Sequence, residues 1–157
     1  MIATNLHAVT DRIAQACARA GRATGSVQLL AVSKTFGPDA VQQAFDAGQR
    51  AFGENYIQEA VDKITALAAL PIEWHCIGPI QSNKTRLVAE HFQWVHTVDR
   101  LKIAQRLSDQ RPAHLPPLQV CIQVNVDGGP TKSGVLPAEA AALALAVRAL
   151  PRLQLRG

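Results

Sequence analysis

The strongest indication of the fold in this sequence is a regular alternation of short apolar runs with longer amphipathic segments. Two of the runs, VQLLAVS at 27–33 and LQVCIQVNV at 118–126, are almost continuously apolar. Such runs are typical of strands that are covered on both faces, as in a parallel sheet. Between the runs, apolar residues recur at the spacing of one helix face. The alternation therefore predicts parallel strands joined by right-handed helical crossovers.

The predicted elements extend through the whole sequence without a break in composition. The predicted strands are 27–33, 51–54, 72–78, 94–98, 118–126 and 153–157. The predicted helices are 5–20, 38–48, 57–64, 82–92, one from Asp99 to about 110, and 137–150. Thr4 or Asn5 would be the N-cap of the first helix, and Asp99 would cap the fifth. We therefore expect a single domain over residues 1–157.

Two α/β architectures fit this pattern, an open doubly wound sheet and a (β/α)₈ barrel of the TIM type. The glycine fingerprint GxGxxG does not follow the first strand, which disfavours a dinucleotide-binding fold. A complete barrel has eight strands and typically about 250 residues. Because this chain of 157 residues has only about six βα units, we expect a barrel that is incomplete at its C-terminus. A small open sheet with a terminal edge strand is the alternative.

Composition narrows the class of protein. With 48% hydrophobic and 18% charged residues, the chain is unlike a disordered protein. It contains no apolar run long enough for a membrane span, and its N-terminus lacks the pattern of a signal peptide. Three widely spaced cysteines, Cys17, Cys76 and Cys121, argue against a disulfide framework and favour a reducing, cytoplasmic setting.

The net charge of +4 raises the question of nucleic-acid binding. The basic residues are scattered, however, and only 4% of the chain is aromatic, so stacking platforms for bases are scarce. We therefore expect no nucleic-acid partner. A modest positive charge also fits affinity for a small phosphorylated ligand.

The residue with the clearest chemical potential is Lys34, which follows directly after the first apolar run. Barrel enzymes place their reactive groups at this end of the strands. Apolar walls around a lysine would disfavour its charged form, and the free amine can form a Schiff base with an aldehyde or ketone. A lysine that simply extends from a strand end into solvent is an equally good interpretation of the spacing.

Residues at or after the ends of the other predicted strands, most of them polar, would lie on the same rim as Lys34, and one histidine of the set, His75, lies inside its strand. They are Glu54 and Asn55; His75, Gly78, Gln81, Asn83 and Lys84; His96, Thr97 and Asp99; and Asn125 and Lys132.

Each of these residues also has an ordinary structural interpretation. A histidine on an apolar strand, such as His75, is more often a hydrogen-bonded core residue than an acid or base. Asp99, Ser82 and Asn55 could each cap a following helix. The segment GGPTKSG has Thr131 where a phosphate loop needs glycine. No cluster has the spacing of metal ligands, so we expect no metal.

Six segments in fixed order carry a resemblance to a known family. They are AVSKT, FGENYIQE, WHCIGPIQSNK, HTVD, QVNV followed by KSG, and the closing LRG. Together they resemble the pyridoxal phosphate homeostasis protein family, the YggS/PROSC-like proteins, which are related to the N-terminal barrel domain of alanine racemase. The resemblance extends from the first predicted strand to Gly157.

The resemblance implies a barrel that holds pyridoxal 5′-phosphate (PLP) as a Schiff base. Lys34 matches the family lysine that forms this bond, and Asn55 matches a rim position expected near the cofactor. His75, Asn125 and Lys132 match family motif positions whose individual roles are less defined. Family members are thought to store or deliver PLP, which implies no catalytic turnover and makes PLP-dependent apo-enzymes candidate recipients.

The family's phosphate-binding segments lie beyond the position of Gly157. We therefore expect this chain to bind PLP weakly or to need a partner that completes the barrel.

Three other functions stay open at the level of sequence. A PLP-dependent racemase or decarboxylase would need a second, β-rich domain and usually a tyrosine base, whereas the only tyrosine here is Tyr56. A Schiff-base aldolase would use a strand-end lysine without PLP, and the absence of visible absorbance would distinguish it. A structural or interaction domain would be favoured if Lys34 proved inert.

Overall fold

The computed structural model describes all 157 residues as one α/β unit. Its strands are β1 (Ala31–Val32), β2 (Ala51–Glu54), β3 (Glu73–Cys76), β4 (Trp94–Val98), β5 (Leu118–Ile122) and β6 (Leu153–Leu155). Its helices are α1 (Ile2–Arg19), α2 (Pro38–Asp46), α3 (Ile57–Ala66), α4 (Thr85–His91), α5 (Leu101–Gln110) and α6 (Pro137–Arg148), and the 3₁₀ turn Ser82–Lys84 precedes α4.

The six strands form one parallel sheet in the order β1-β2-β3-β4-β5-β6. Each strand therefore pairs with its neighbour in sequence, as in a barrel, and the order never reverses as it does in a doubly wound sheet. The predicted α/β fold of about six βα units is thus confirmed, and the sheet is an incomplete barrel. β1 and β6 are its two edges.

The helices cover one face of the sheet, and the hydrophobic core lies between the helices and the sheet. Alternate strand residues point into this core, as Phe52, Trp74 and Val120 do, against helix residues such as Val88 and Leu107. The opposite face, here called the inner face, carries the intervening residues. On β3 and β4 these are Glu73, His75, Trp94 and His96, which contact one another.

Several predicted boundaries are wrong. Residues 27–30 lie outside β1, and β5 ends four residues earlier than predicted, after which Val124 makes only an isolated bridge with Val135. α1 begins at Ile2 rather than after Thr4 or Asn5, and Met1 is its N-cap. Asp99 does not cap α5: Arg100 is the N-cap, and the Asp99 carboxylate accepts the Gly134 N–H at 3.1 Å.

Candidate site at the carboxyl ends of the strands

Lys34 lies at the carboxyl end of β1, where the predicted rim is. The chain there remains attached to β2, because the Ser33 N–H donates to the Gly53 carbonyl at 2.9 Å. The Lys34 side chain is exposed and takes part in none of the ion pairs of the structure. β1 is an edge strand with a neighbour on only one side.

Asn55 occupies the equivalent place after β2, one strand over from Lys34. It does not cap α3, because Tyr56 is the N-cap and no side chain bonds to that end of the helix. Its Oδ1 atom is buried and has no hydrogen-bond partner. A buried acceptor without a donor is costly, and such atoms are rare in native structures. Asn55 Oδ1 is therefore an acceptor whose hydrogen-bonding capacity the protein leaves unused.

Gly78 supports Asn55 from the loop after β3. A Cβ atom at Gly78 would lie 2.4 Å from the Asn55 carbonyl oxygen and 2.8 Å from its Cα. Only glycine allows the two backbones to approach this closely. The Gly78 carbonyl in turn accepts the Thr97 hydroxyl at 2.8 Å, which connects this loop to the end of β4.

A largely buried charged cluster supports the segment that carries Lys34, and none of the sequence-based predictions included it. It consists of Glu54, Glu59 and Lys63 and is called the Lys63 cluster below. The Lys63 Nζ atom lies 2.9 Å from Glu54 Oε1 and 2.8 Å from Glu59 Oε1. Its signal in the sequence is a lysine four residues after a glutamate, beside the apolar stripe of α3. That signal does not reveal burial, which depends on β1 and β2.

His75 lies on the inner face, below the rim, and both of its ring nitrogens are engaged. One is 2.7 Å from Glu73 Oε1 and the other 2.8 Å from His96 Nε2, while the ring stacks on Trp94 at 5.3 Å between centroids. Burial lowers the pKa of His75, although Glu73 opposes this effect. Burial, and secondarily the proximity of His75, also lowers the pKa of His96. His75 therefore has no free nitrogen with which to contact a ligand.

Asn125 and Lys132 belong to the loop after β5, and their contacts are local. The Asn125 side chain accepts the Gly128 N–H at 3.0 Å and donates to the Gly129 carbonyl at 3.1 Å. Lys132 is exposed and lies 3.8 Å from Asp127 Oδ2. Asn125 thus shapes its own loop, and its side chain makes no contact with Lys34 or Asn55.

Two hollows border the carboxyl ends of the strands. An apolar groove of about 350 Å³ lies between α1, β1 and α2, and Val32, Ser33 and Phe36 around Lys34 contribute to it. A polar hollow of about 290 Å³ lies at the ends of β3, β4 and β5 and is lined by Gln81, Thr97, Asp99, Arg100, Gln123 and Ser133 among others. No group of three or more His, Cys, Asp or Glu side chains could hold a metal ion.

The comparisons with known proteins agree with one another. The family model described as alanine racemase, N-terminal domain, matches residues 4–157. The pyridoxal phosphate homeostasis protein of Pseudomonas aeruginosa is 63% identical over 156 residues, which are 99% of this chain and 68% of that protein. Its namesake from Escherichia coli is 58% identical over 159 residues, with the same two shares covered.

Solved structures show the same similarity. PipY of Synechococcus elongatus, solved with PLP bound, matches with a TM-score of 0.82 and 36% identity over 100% of this chain and 68% of that one. Alanine racemase from Corynebacterium glutamicum matches with a TM-score of 0.68 and 18% identity over 99% of this chain and 42% of that one, which indicates a shared fold. None of the helices has the length and apolar character needed to cross a membrane.

Proposed function

The chain belongs to the pyridoxal phosphate homeostasis protein family, built on the alanine racemase N-terminal domain, and on this premise we propose that it binds PLP through Lys34 as a cofactor store or donor. The observation that carries the proposal is the position of Lys34, an exposed amine on an anchored segment at the carboxyl edge of a barrel-type sheet. The PLP-bound structure of PipY, which matches 100% of this chain and 68% of PipY, supports the proposal.

The chemistry of the site fits the aldehyde end of this cofactor. PLP supplies an aldehyde carbon, with which the Lys34 amine would condense to an imine with loss of one water molecule. Asn55 Oδ1 is a buried acceptor without a protein donor, so it could take a hydrogen bond from the bound group. Val32 and Phe36, both exposed beside Lys34, offer apolar surface to a flat ring.

We further propose that the chain carries out no catalytic turnover. The relatives are named for homeostasis rather than for a reaction. His75 is a candidate acid or base, but both of its ring nitrogens are hydrogen-bonded within the protein. The recipients would be PLP-dependent apo-enzymes. A cytoplasmic location fits the three cysteines, which are all free.

The test is to trap the bond chemically and map it. The protein is incubated with a limiting amount of PLP and reduced with borohydride, and the modified peptide is identified by mass spectrometry. We expect one predominant adduct on Lys34, with a visible absorbance band before reduction. Reduction makes the bond permanent, so the experiment also detects weak binding.

Matched variants make the result specific. Lys34→Ala should lose the adduct and the visible band, whereas Lys102→Ala, which removes an exposed lysine on α5, should keep both. Labelling spread evenly over the exposed lysines of wild type would contradict the proposal. Exchange of the α-proton of alanine in the presence of PLP would contradict the non-catalytic assignment and favour a racemase.

A further inference from the structure

The two residues that flank Lys34 are both bound by the Lys63 cluster. On one side, the Ser33 carbonyl accepts the Lys63 ammonium at 2.8 Å, and the Ser33 hydroxyl donates to Glu54 Oε2. On the other side, the Thr35 N–H donates to Glu59 Oε1 at 2.8 Å. The Lys63 Nζ atom also contacts both carboxylates. One buried ammonium therefore joins the ends of β1 and β2 to helix α3.

Stability alone is a weak explanation for this arrangement. The side chains of Glu54 and Lys63 are 0% and 4% exposed. Removing two such charges from water costs so much free energy that apolar residues of similar volume often stabilise a fold equally well or better. A buried ion pair that also bonds specific backbone atoms fixes those atoms in one place. Apolar contacts do not have this directional effect.

The backbone at Thr35 needs such fixing. Thr35 has φ of +68°, in the left-handed region that residues with a branched Cβ rarely adopt. Its N–H bond to Glu59 holds this conformation, in which the chain turns directly after Lys34. Hydrogen bonds from Lys63 and, to a smaller extent, from Thr35 lower the pKa of Glu59. The Thr35 N–H therefore donates to a charged carboxylate, which makes this bond charge-assisted.

We propose that the Lys63 cluster positions Lys34 for its reaction with an aldehyde: Glu54, Glu59 and Lys63 act as positioning residues that fix the backbone on both sides of the reactive lysine. The part of this inference that concerns reactivity rests on the proposed function of Lys34, whereas the anchoring of Ser33 and Thr35 does not. The proposal assigns Lys63 a buried structural charge and removes it from the lysines available for labelling.

The experiment compares Glu59→Ala with Glu59→Gln and Glu90→Ala in otherwise intact protein. Glu59 is partly exposed, so its variants should fold. Lys63→Met would leave the buried Glu54 charge without its partner and destabilise the fold, so this variant is less informative. Glu90→Ala is the matched control because Glu90 pairs with Arg86 four residues away on α4. Glu59→Gln keeps an acceptor for the Thr35 N–H but removes the charge.

Two readouts separate anchoring from reactivity. The first is amide hydrogen exchange at Thr35, measured by NMR without PLP. We expect exchange about tenfold faster in Glu59→Ala, the ratio for loss of one charged hydrogen bond, an intermediate rate in Glu59→Gln, and no change in Glu90→Ala. The second is the ratio of reduced PLP adduct on Lys34 to that on Lys102, which should fall several-fold in Glu59→Ala, fall less in Glu59→Gln and stay unchanged in Glu90→Ala.

The outcomes are distinguishable. If Glu59→Ala folds normally and changes neither Thr35 exchange nor the adduct ratio, the positioning role is wrong. If exchange rises but the ratio stays at the wild-type value, the cluster is an anchor without a role in reactivity, and the proposal is likewise overturned. If wild type itself shows no preference for Lys34, the proposed function fails, while Thr35 exchange still decides whether the anchor exists.

Discussion

At the residue scale, the candidate site consists of Lys34 and Asn55, with Gly78 packed against the Asn55 backbone. Lys34 and Asn55 follow neighbouring parallel strands, so the sequence could predict that both lie at one rim. The unpartnered Asn55 Oδ1 and the approach of Gly78 to Asn55 could not be predicted, because they depend on distances between separate loops. The Lys63 cluster escaped prediction for the same reason.

Gly78→Ala tests the contact that supports Asn55. The new Cβ would lie 2.4 Å from a backbone oxygen, so one of the loops must move. We expect the free energy of unfolding to fall by about 1–3 kcal/mol, typical of overpacking, and the Lys34 adduct to decrease. Urea unfolding measures the first effect. Gly157→Ala is the control, since no atom lies within 4 Å of a Cβ there; an equal loss in both variants would contradict this explanation.

The paired histidines predict a pH dependence of stability. Burial lowers the pKa of both His75 and His96 below the ordinary value of 6.5. Between the folded and ordinary pKa values the unfolded chain binds more protons, so the free energy of unfolding should fall as pH drops through 6.5. Urea unfolding at about pH 7.5 and 5.5 tests this.

The variants for this test isolate the histidine pair. The double variant His75→Gln and His96→Gln should show a smaller loss of stability over the same interval of pH than wild type. His114→Gln, on an exposed turn, is the matched substitution. An undiminished loss in the double variant would contradict the assignment to this pair.

At the element scale, the type and order of the elements followed from the sequence, but their ends did not. Short apolar runs, two of them almost continuous, indicated the six strands of the sheet, and Pro38 and Pro137 do stand in the first turn of α2 and α6. The first run proved longer than β1, because the strand register pairs only Ala31 with Phe52 and Val32 with Gly53. Strand length depends on the neighbouring strand, which a local pattern does not show.

Arg111 illustrates how one side chain connects two elements. Its guanidinium is buried and donates to the carbonyls of Ala89 and Phe92 at the end of α4 and to that of Pro116 before β5, at 2.6–3.0 Å. Burial lowers the pKa of this group. Lysine cannot reach all three carbonyls, since it lacks the planar fork of donors.

We therefore expect Arg111→Lys to lower the free energy of unfolding by about 2–4 kcal/mol, the cost of leaving buried carbonyls and a buried charge poorly bonded. Arg86→Lys is the control, because Arg86 is exposed in a surface ion pair and its replacement should change stability by at most about 0.5 kcal/mol. Urea unfolding of both variants measures the difference. Similar effects in the two would show that the Arg111 bonds contribute little.

At the scale of the whole molecule, the sequential order of six parallel strands places every strand end on one rim. The parallel crossovers could be predicted from the alternation of elements, but that alternation also fits a doubly wound sheet, and the family resemblance was needed to favour the sequential order of a barrel. Whether Lys34 would lie against apolar walls or extend into solvent stayed open in the sequence, and in the structure its side chain is exposed beside the edge strand β1.

A crystal structure of the chain with PLP would decide whether Lys34 on this rim binds the cofactor. We expect continuous electron density from Lys34 Nζ to PLP, with Asn55 Oδ1 within hydrogen-bond distance of a bound atom and the Lys63 cluster unchanged. Density for PLP at another lysine, or density at the rim without a connection to Lys34, would contradict it.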